Sequence, residues 1–285
     1  MLDATHFFEV HSSVYSICHI SHRLVAIGLA NGYVALYDDA LDAQVGDVFK
    51  LEGAVYALEF DPYRNVLFIG SSKGELVAVN LTNSDIIYRE NLGVSIQQIR
   101  LQRDQLLVGI ANGVLLVFSQ ELKRIAEFPL SQFGIRYMVT FGDERVFVGL
   151  KSNEILEIET NFFNVVQTYI LEENERPTCL HVALNRQLLF VGTNRGLLHC
   201  WKIGAADHKV QFQLHQGAIY GLEIQAGTIA SFGFDKSLKL WDERSFEPKG
   251  VFHSVRSLNA GKWLSDSLFI IGGDDKKATV ISVSV

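Results

Sequence analysis

The sequence predicts an all-β protein of seven four-stranded antiparallel blades, a seven-bladed β-propeller, and three observations carry that prediction. A gap-free motif recurs seven times. Its spacing is the length of one blade. A spare strand at the start matches a strand missing at the end.

The motif is an apolar run, a glycine, a polar turn pair, and an alternating strand ending in a large apolar residue. It occupies Leu24–Asp38, Val66–Asn80, Gln105–Ser119, Arg145–Glu159, Leu188–Lys202, Thr228–Asp242 and Leu268–Ser282. The large residues are Tyr37, Val79, Phe118, Ile158, Trp201, Trp241 and Ile281, 39 to 43 residues apart. Four-stranded blades repeat every ~40–45 residues. Helical repeats of that length would show a 3.6-residue apolar period, and these segments alternate instead.

Two columns have a physical meaning. Nine residues before the large residue stand Gly28, Gly70, Gly109, Gly149, Gly192, Phe232 and Gly272. A glycine inside a strand marks a close approach of another element. Five residues before it stand Gly32, Gly74, Gly113, Asn153, Gly196, Lys236 and Lys276. Gly and Asn are the residues that enter positive φ in a tight turn most readily.

An inner strand precedes each motif, starting near Val14, Val55, Ile96, Ile135, Pro177, Ile219 or Val255. A looser outer strand follows, such as Val45–Leu51 or Val165–Leu171. The seventh motif has no outer strand before Val285, whereas an orphan strand, Thr5–Val10, precedes the first. The orphan is expected to pair with the last blade and remove the open edges. Residues 1–285 are then one domain without a linker or appended module.

Segment 228–242 ends in the Trp241-Asp242 dipeptide, and with it the chain resembles the WD-repeat family over its whole length. The resemblance implies a hydrogen-bond network in blade 6 among His215, Ser231, Asp235 and Trp241. The chemistry fits: carboxylate, imidazole, hydroxyl and indole N–H can donate and accept in sequence. Other blades depart from the pattern. Blade 1 keeps His11 but has Tyr37, blade 5 keeps Trp201, blade 7 keeps Asp275 and His253, and blades 2, 3 and 4 lack the network.

No GxSxG, HExxH or P-loop occurs. Cys18, His19 and His22 cluster near the first inner turn but lack a fourth ligand, so no metal and no cofactor are expected. The expected class is therefore a binding module and not an enzyme. By resemblance, one column rings the channel mouth on the top face: Tyr15, Tyr56, Gln97, Arg136, Thr178, Tyr220 and Arg256. Its three Tyr and two Arg have the composition of interface hot spots. Lys151 and Phe234 stand in a second ring beside the turns between the second and third strands.

The expected ligand is a peptide or loop of a partner protein carrying an acidic or phosphorylated residue next to an apolar one. The alternative is a propeller enzyme or small-ligand binder using the central channel. A net charge of −7 without a basic run argues against nucleic acid. The acidic runs Asp38-Asp39 with Asp42 and Glu172-Glu173 with Glu175 read as solvated loops. Three cysteines with no CxxC pair, no charged-then-apolar leader and no long apolar span imply a cytoplasmic protein with no membrane contact, working as a monomeric module within a complex.

Overall fold

The computed structural model describes residues 2–21, 24–38, 43–205 and 208–283. His22, Asp39, Asp42 and Val285 lie outside them. Seven four-stranded antiparallel sheets are present, the blades of a seven-bladed propeller. They fall into two compact units, residues 1–93 with 220–285 and residues 94–219.

The first unit holds four blades. Blade 1 is β2 (Val14–His19), β3 (Leu24–Leu29), β4 (Tyr33–Asp38) and β5 (Ala43–Lys50). Blade 2 is β6 (Val55–Asp61), β7 (Val66–Ser71), β8 (Glu75–Asn80) and β9 (Asp85–Asn91). Blade 6 is β22 (Ile219–Gln225), β23 (Thr228–Gly233), β24 (Ser237–Asp242) and β25 (Pro248–His253). Blade 7 is β26 (Leu258–Ser265), β27 (Leu268–Gly273) and β28 (Lys277–Val283), completed by β1 (Leu2–Glu9).

The spare strand therefore fills the missing place. β1 runs antiparallel to β28 from Leu2 opposite Val283 to Glu9 opposite Lys277, with a bulge at Thr5. It is three residues longer at its start than the expected strand Thr5–Val10, because backbone pairing continues through Leu2, Asp3 and Ala4. Phe8 and Val10 anchor it in the core shared by blades 7 and 1.

The second unit holds blade 3, β10 (Ile96–Gln102), β11 (Gln105–Ile110), β12 (Val114–Phe118) and β13 (Arg124–Pro129). Blade 4 is β14 (Ile135–Phe141), β15 (Arg145–Leu150), β16 (Glu154–Glu159) and β17 (Asn164–Ile170). Blade 5 is β18 (Pro177–Ala183), β19 (Leu188–Thr193), β20 (Leu197–Lys202) and β21 (His208–Gln213).

The glycine column sits where neighbouring blades touch. A Cβ on Gly28 would come 2.6 Å from Val55 Cγ1, and one on Gly272 would come 2.8 Å from Val14 Cβ. The first residue of one inner strand is thus seated in the gap left by the preceding blade's glycine. Phe232 breaks the column without breaking the blade, because the strand beside it compensates. A Cβ on Gly221 would lie 2.1 Å from Phe232 Cζ, so the missing side chain has moved across the sheet. In the turn column, Gly32, Gly74, Gly113 and Gly196 take positive φ, and so do Lys236 and Lys276. Asn153 does not; its amide donates to the Leu171 carbonyl at 2.9 Å instead.

Candidate functional site

Most of the candidate column has one structural origin. Val14 pairs with Leu29 and Ser16 with Gly28, so Tyr15 is an extra residue in a β-bulge. Tyr56, Gln97, Arg136 and Thr178 occupy the same kind of bulge in β6, β10, β14 and β18. A bulged residue is unpaired in the ladder, and its side chain is re-aimed away from the sheet. The residues on either side of Tyr15 and Tyr56, Val14 with Ser16 and Val55 with Ala57, are buried. The two tyrosines are therefore held on rigid backbone while their rings stay 36% exposed.

Blade 7 requires a correction. Its inner strand begins at Leu258, three residues later than Val255, and its bulged residue is Asn259, between Leu258 and Ala260. Arg256 is not in the column; it lies exposed in the loop before β26. Val255 copies the apolar first residue of the other inner strands but stays 75% exposed in that loop. Asn259 turns its amide inward, donating to the Val14 carbonyl at 3.1 Å and to Asp274 Oδ1 at 2.9 Å.

Two residues of the column form an aromatic pair on the first unit. The Tyr15 and Tyr56 rings meet edge to face, 5.5 Å between centroids. Tyr15 neighbours Asp274; burial, then that carboxylate and Tyr56, push its phenol above the ordinary range. The Asp274 N–H donates to the Ser257 carbonyl at 3.0 Å, and Ser257 Oγ donates to the Phe234 carbonyl at 3.4 Å. Phe234 is 58% exposed in its turn. Tyr220 is half-buried.

The second unit carries a different constellation. Arg136 is exposed and Lys151 half-buried. Burial first, then the Arg136 charge, lower the Lys151 pKa. Gln97 donates to Ser95 Oγ at 2.8 Å, and the Thr178 hydroxyl to the Gly192 carbonyl at 3.0 Å. The same hydroxyl lies closer, at 2.5 Å, to the Ile219 carbonyl at the start of β22, so its donor is met by backbone.

Of the blade 6 residues, Trp241 Nε1 donates to Ser231 Oγ at 2.9 Å. Asp235 accepts from the Ser237 hydroxyl at 2.7 Å and lies 3.5 Å from Lys239 Nζ. His215 belongs to the second unit and is buried there, its carbonyl accepting from Gln213 Nε2 at 2.6 Å.

Buried carboxylates in blades 2, 4 and 5 are an addition to the sequence reading. Glu157 accepts from Tyr169 at 2.7 Å and pairs with Arg145 at 2.5 Å. Burial and that carboxylate push the Tyr169 phenol far up. Glu75 takes Arg89 at 2.7 Å and also the Glu52 N–H. Glu175 corrects the solvated-loop reading: unlike the exposed Glu172 and Glu173 it is buried, 2.7 Å from the buried His199 Nε2, with His199 stacked on Trp201. The available signal was an acid in the middle of an apolar strand, as in Glu154–Glu159.

A cavity of about 350 Å³ in the first unit is lined by Cys18, His19, Glu59, Glu223 and Lys262 among others. Lys262 Nζ lies 2.6 Å from Glu223 Oε1, so its charge is met within the protein. Among the described residues, no three His, Cys, Asp or Glu side chains are grouped for a metal. Among the described residues, no helix is long and apolar enough to cross a membrane.

Solved structures with this fold include the β-propeller domain of Cps50 (Swd1) from Myceliophteria thermophila. It superposes with a TM-score of 0.86 over 100% of both chains at 10% identity. The WD40 β-propeller domain of Doa1 gives a TM-score of 0.88 over 100% of this chain and 97% of its own, at 16% identity. An F-box/WD-40 repeat-containing protein of Arabidopsis thaliana is 25% identical over 138 residues. That match covers 41% of this chain and 24% of the plant protein, so the chain spans about a quarter of the relative's length. No protein-family model matches. The fold defines a WD40-type β-propeller. The comparisons thus show the fold, and the repeats resemble those of the WD-repeat family.

Proposed function

We propose that the chain is a protein-interaction module that takes a short segment of a partner on the aromatic face of its first unit. WD40 propeller domains generally mediate protein–protein contacts. The observation that carries the reading is the Tyr15–Tyr56 pair, two partly exposed rings fixed on bulged backbone. Rigid aromatic rings offer contact area at little entropic cost, and such residues dominate binding energy. Phe234 and Val255 extend the apolar surface, and Arg256 in the same loop supplies a bidentate donor for a carboxylate or phosphate. The favoured ligand is a segment with an apolar residue beside an acidic or phosphorylated one. The Arg136–Lys151 pair of the second unit, taken by itself, is an additional contact for an anionic group.

The test is capture of partners by the wild type and by Tyr15→Ala with Tyr56→Ala, both checked for unchanged melting. Each truncation of an anchor of this kind costs about 1–2 kcal/mol or more, so binding should fall at least about tenfold. Tyr63→Ala is the control, because Tyr63 is 98% exposed just beyond the other end of β6. Partners that survive the double substitution and are lost with Tyr63→Ala would move the interface to the opposite end of the strands.

A further inference from the structure

Asp274 is exposed in the turn between β27 and β28, and one amide fixes its place beside Tyr15. Asn259 Nδ2 donates to Asp274 Oδ1 at 2.9 Å and to the Val14 carbonyl at 3.1 Å, and Val14 directly precedes Tyr15. The Asp274 N–H is held too, on the Ser257 carbonyl at 3.0 Å. The carboxylate is thus positioned from two sides. Among the described residues its Oδ2 accepts no hydrogen bond, and no cation pairs with it. Other acids of the same unit are each met by a cation of the protein: Asp61 by Arg64, Glu75 by Arg89, Glu223 by Lys262 and Asp242 by Lys249. Asp274 therefore stands as an oriented, uncompensated charge next to two partly exposed rings whose centroids are 5.5 Å apart.

We propose that this corner takes an arginine side chain of the partner segment, its guanidinium lying on the Tyr15–Tyr56 pair and donating to Asp274. The inference rests on the reading of that pair as a binding surface. The face of an aromatic ring carries negative potential and attracts a cation. A guanidinium is planar and weakly hydrated, so it can stack on a ring while its edge donates to a carboxylate. A lysine ammonium is a compact, strongly hydrated charge that does neither as well. The Tyr15 phenol is pushed up, chiefly by burial, so it stays neutral and the carboxylate supplies the negative charge. The net charge of −7 also favours the approach of a cationic group. Arg256 is exposed one residue before Ser257, and no ion pair joins it to Asp274 among the described residues. It remains for the acidic or phosphorylated residue of the ligand, so the segment carries both signs of charge.

Peptides selected on the full wild-type chain from a random displayed library, then synthesised singly, test the proposal. They should contain an arginine, and its replacement by alanine should weaken binding about tenfold. Asp274→Asn keeps an acceptor for Asn259 and removes only the charge. It should weaken the same peptides about tenfold, with melting unchanged, and should have little further effect on the alanine peptide. A lysine peptide should bind more weakly than the arginine peptide. Asp85→Asn, at an exposed acid on β9 of the same unit, is the control and should change nothing. Peptides lost with Tyr15→Ala and Tyr56→Ala but indifferent to Asp274→Asn would leave the aromatic pair as the site and overturn the arginine. Peptides indifferent to both changes, or a library that yields no binder, would overturn the site as well. Selected peptides without arginine, or equal binding by the lysine peptide, would overturn the guanidinium assignment alone.

Discussion

Blades 6 and 4 fasten their third strand in opposite ways. In blade 6 a neutral pair contributes: Trp241 on β24 donates across the ladder to Ser231 on β23. In blade 4 a buried carboxylate does it: Glu157 on β16 takes Tyr169 from β17 and Arg145 from β15. The fold asks only that buried polar atoms be satisfied, so sequence is free to drift between the two solutions. The cost of damage differs. Removing a neutral acceptor orphans one N–H, whereas removing the buried Glu157 carboxylate leaves both the buried Tyr169 phenol and the partly exposed Arg145 guanidinium without their counterpart.

The largest expected effect is therefore at Glu157. Glu157→Ala removes the acceptor of a buried phenol and the partner of Arg145, and should cost about 3 kcal/mol in urea unfolding. Gly221→Ala should come next, at about 1–3 kcal/mol, because the new methyl group would collide with the Phe232 ring. Combining it with Phe232→Leu should cost less than the two changes separately. Ser231→Ala should cost about 1–2 kcal/mol by orphaning the Trp241 N–H. If Ser231→Ala costs as much as Glu157→Ala, the contrast between neutral and charged fastening fails.

These comparisons also mark how far the sequence could be read. The blade count and the first residues of six inner strands were legible, because a buried apolar residue opens each strand 13 to 15 residues before the position that is glycine in all of them but blade 6. Blade 7 misled because Val255 is apolar in an exposed loop, and periodicity cannot separate a turn valine from a strand valine. Asn259 was passed over for that reason. The bulge that turns Tyr15 and Tyr56 outward left no mark in composition. Phe232 looked like a damaged repeat, since its compensation, Gly221, stands on a different strand. The buried acids were visible in principle, since Glu157 interrupts an apolar run, but their partners come from other strands.

The smallest expected effect is a pH dependence. Burial, reinforced by Glu172 and opposed by Arg195, raises the Glu175 pKa above its ordinary 4.5. The folded state then holds a proton that the unfolded chain has released. The stability from this group is fully present below pH 4.5 and is lost as pH rises through the folded value. Glu175→Gln should flatten that slope, read from melting temperature against pH. An unchanged slope would show that another group produces it.

The central claim, that recognition belongs to the aromatic face of the first unit, is tested most directly by amide hydrogen exchange. The chain would be compared alone and saturated with a peptide selected on the wild type. Slowed exchange is predicted in segments 14–16, 55–57, 233–236 and 254–258, where Tyr15, Tyr56, Phe234 and Arg256 reside. Protection confined to segment 61–65, at the far end of β6, would contradict it.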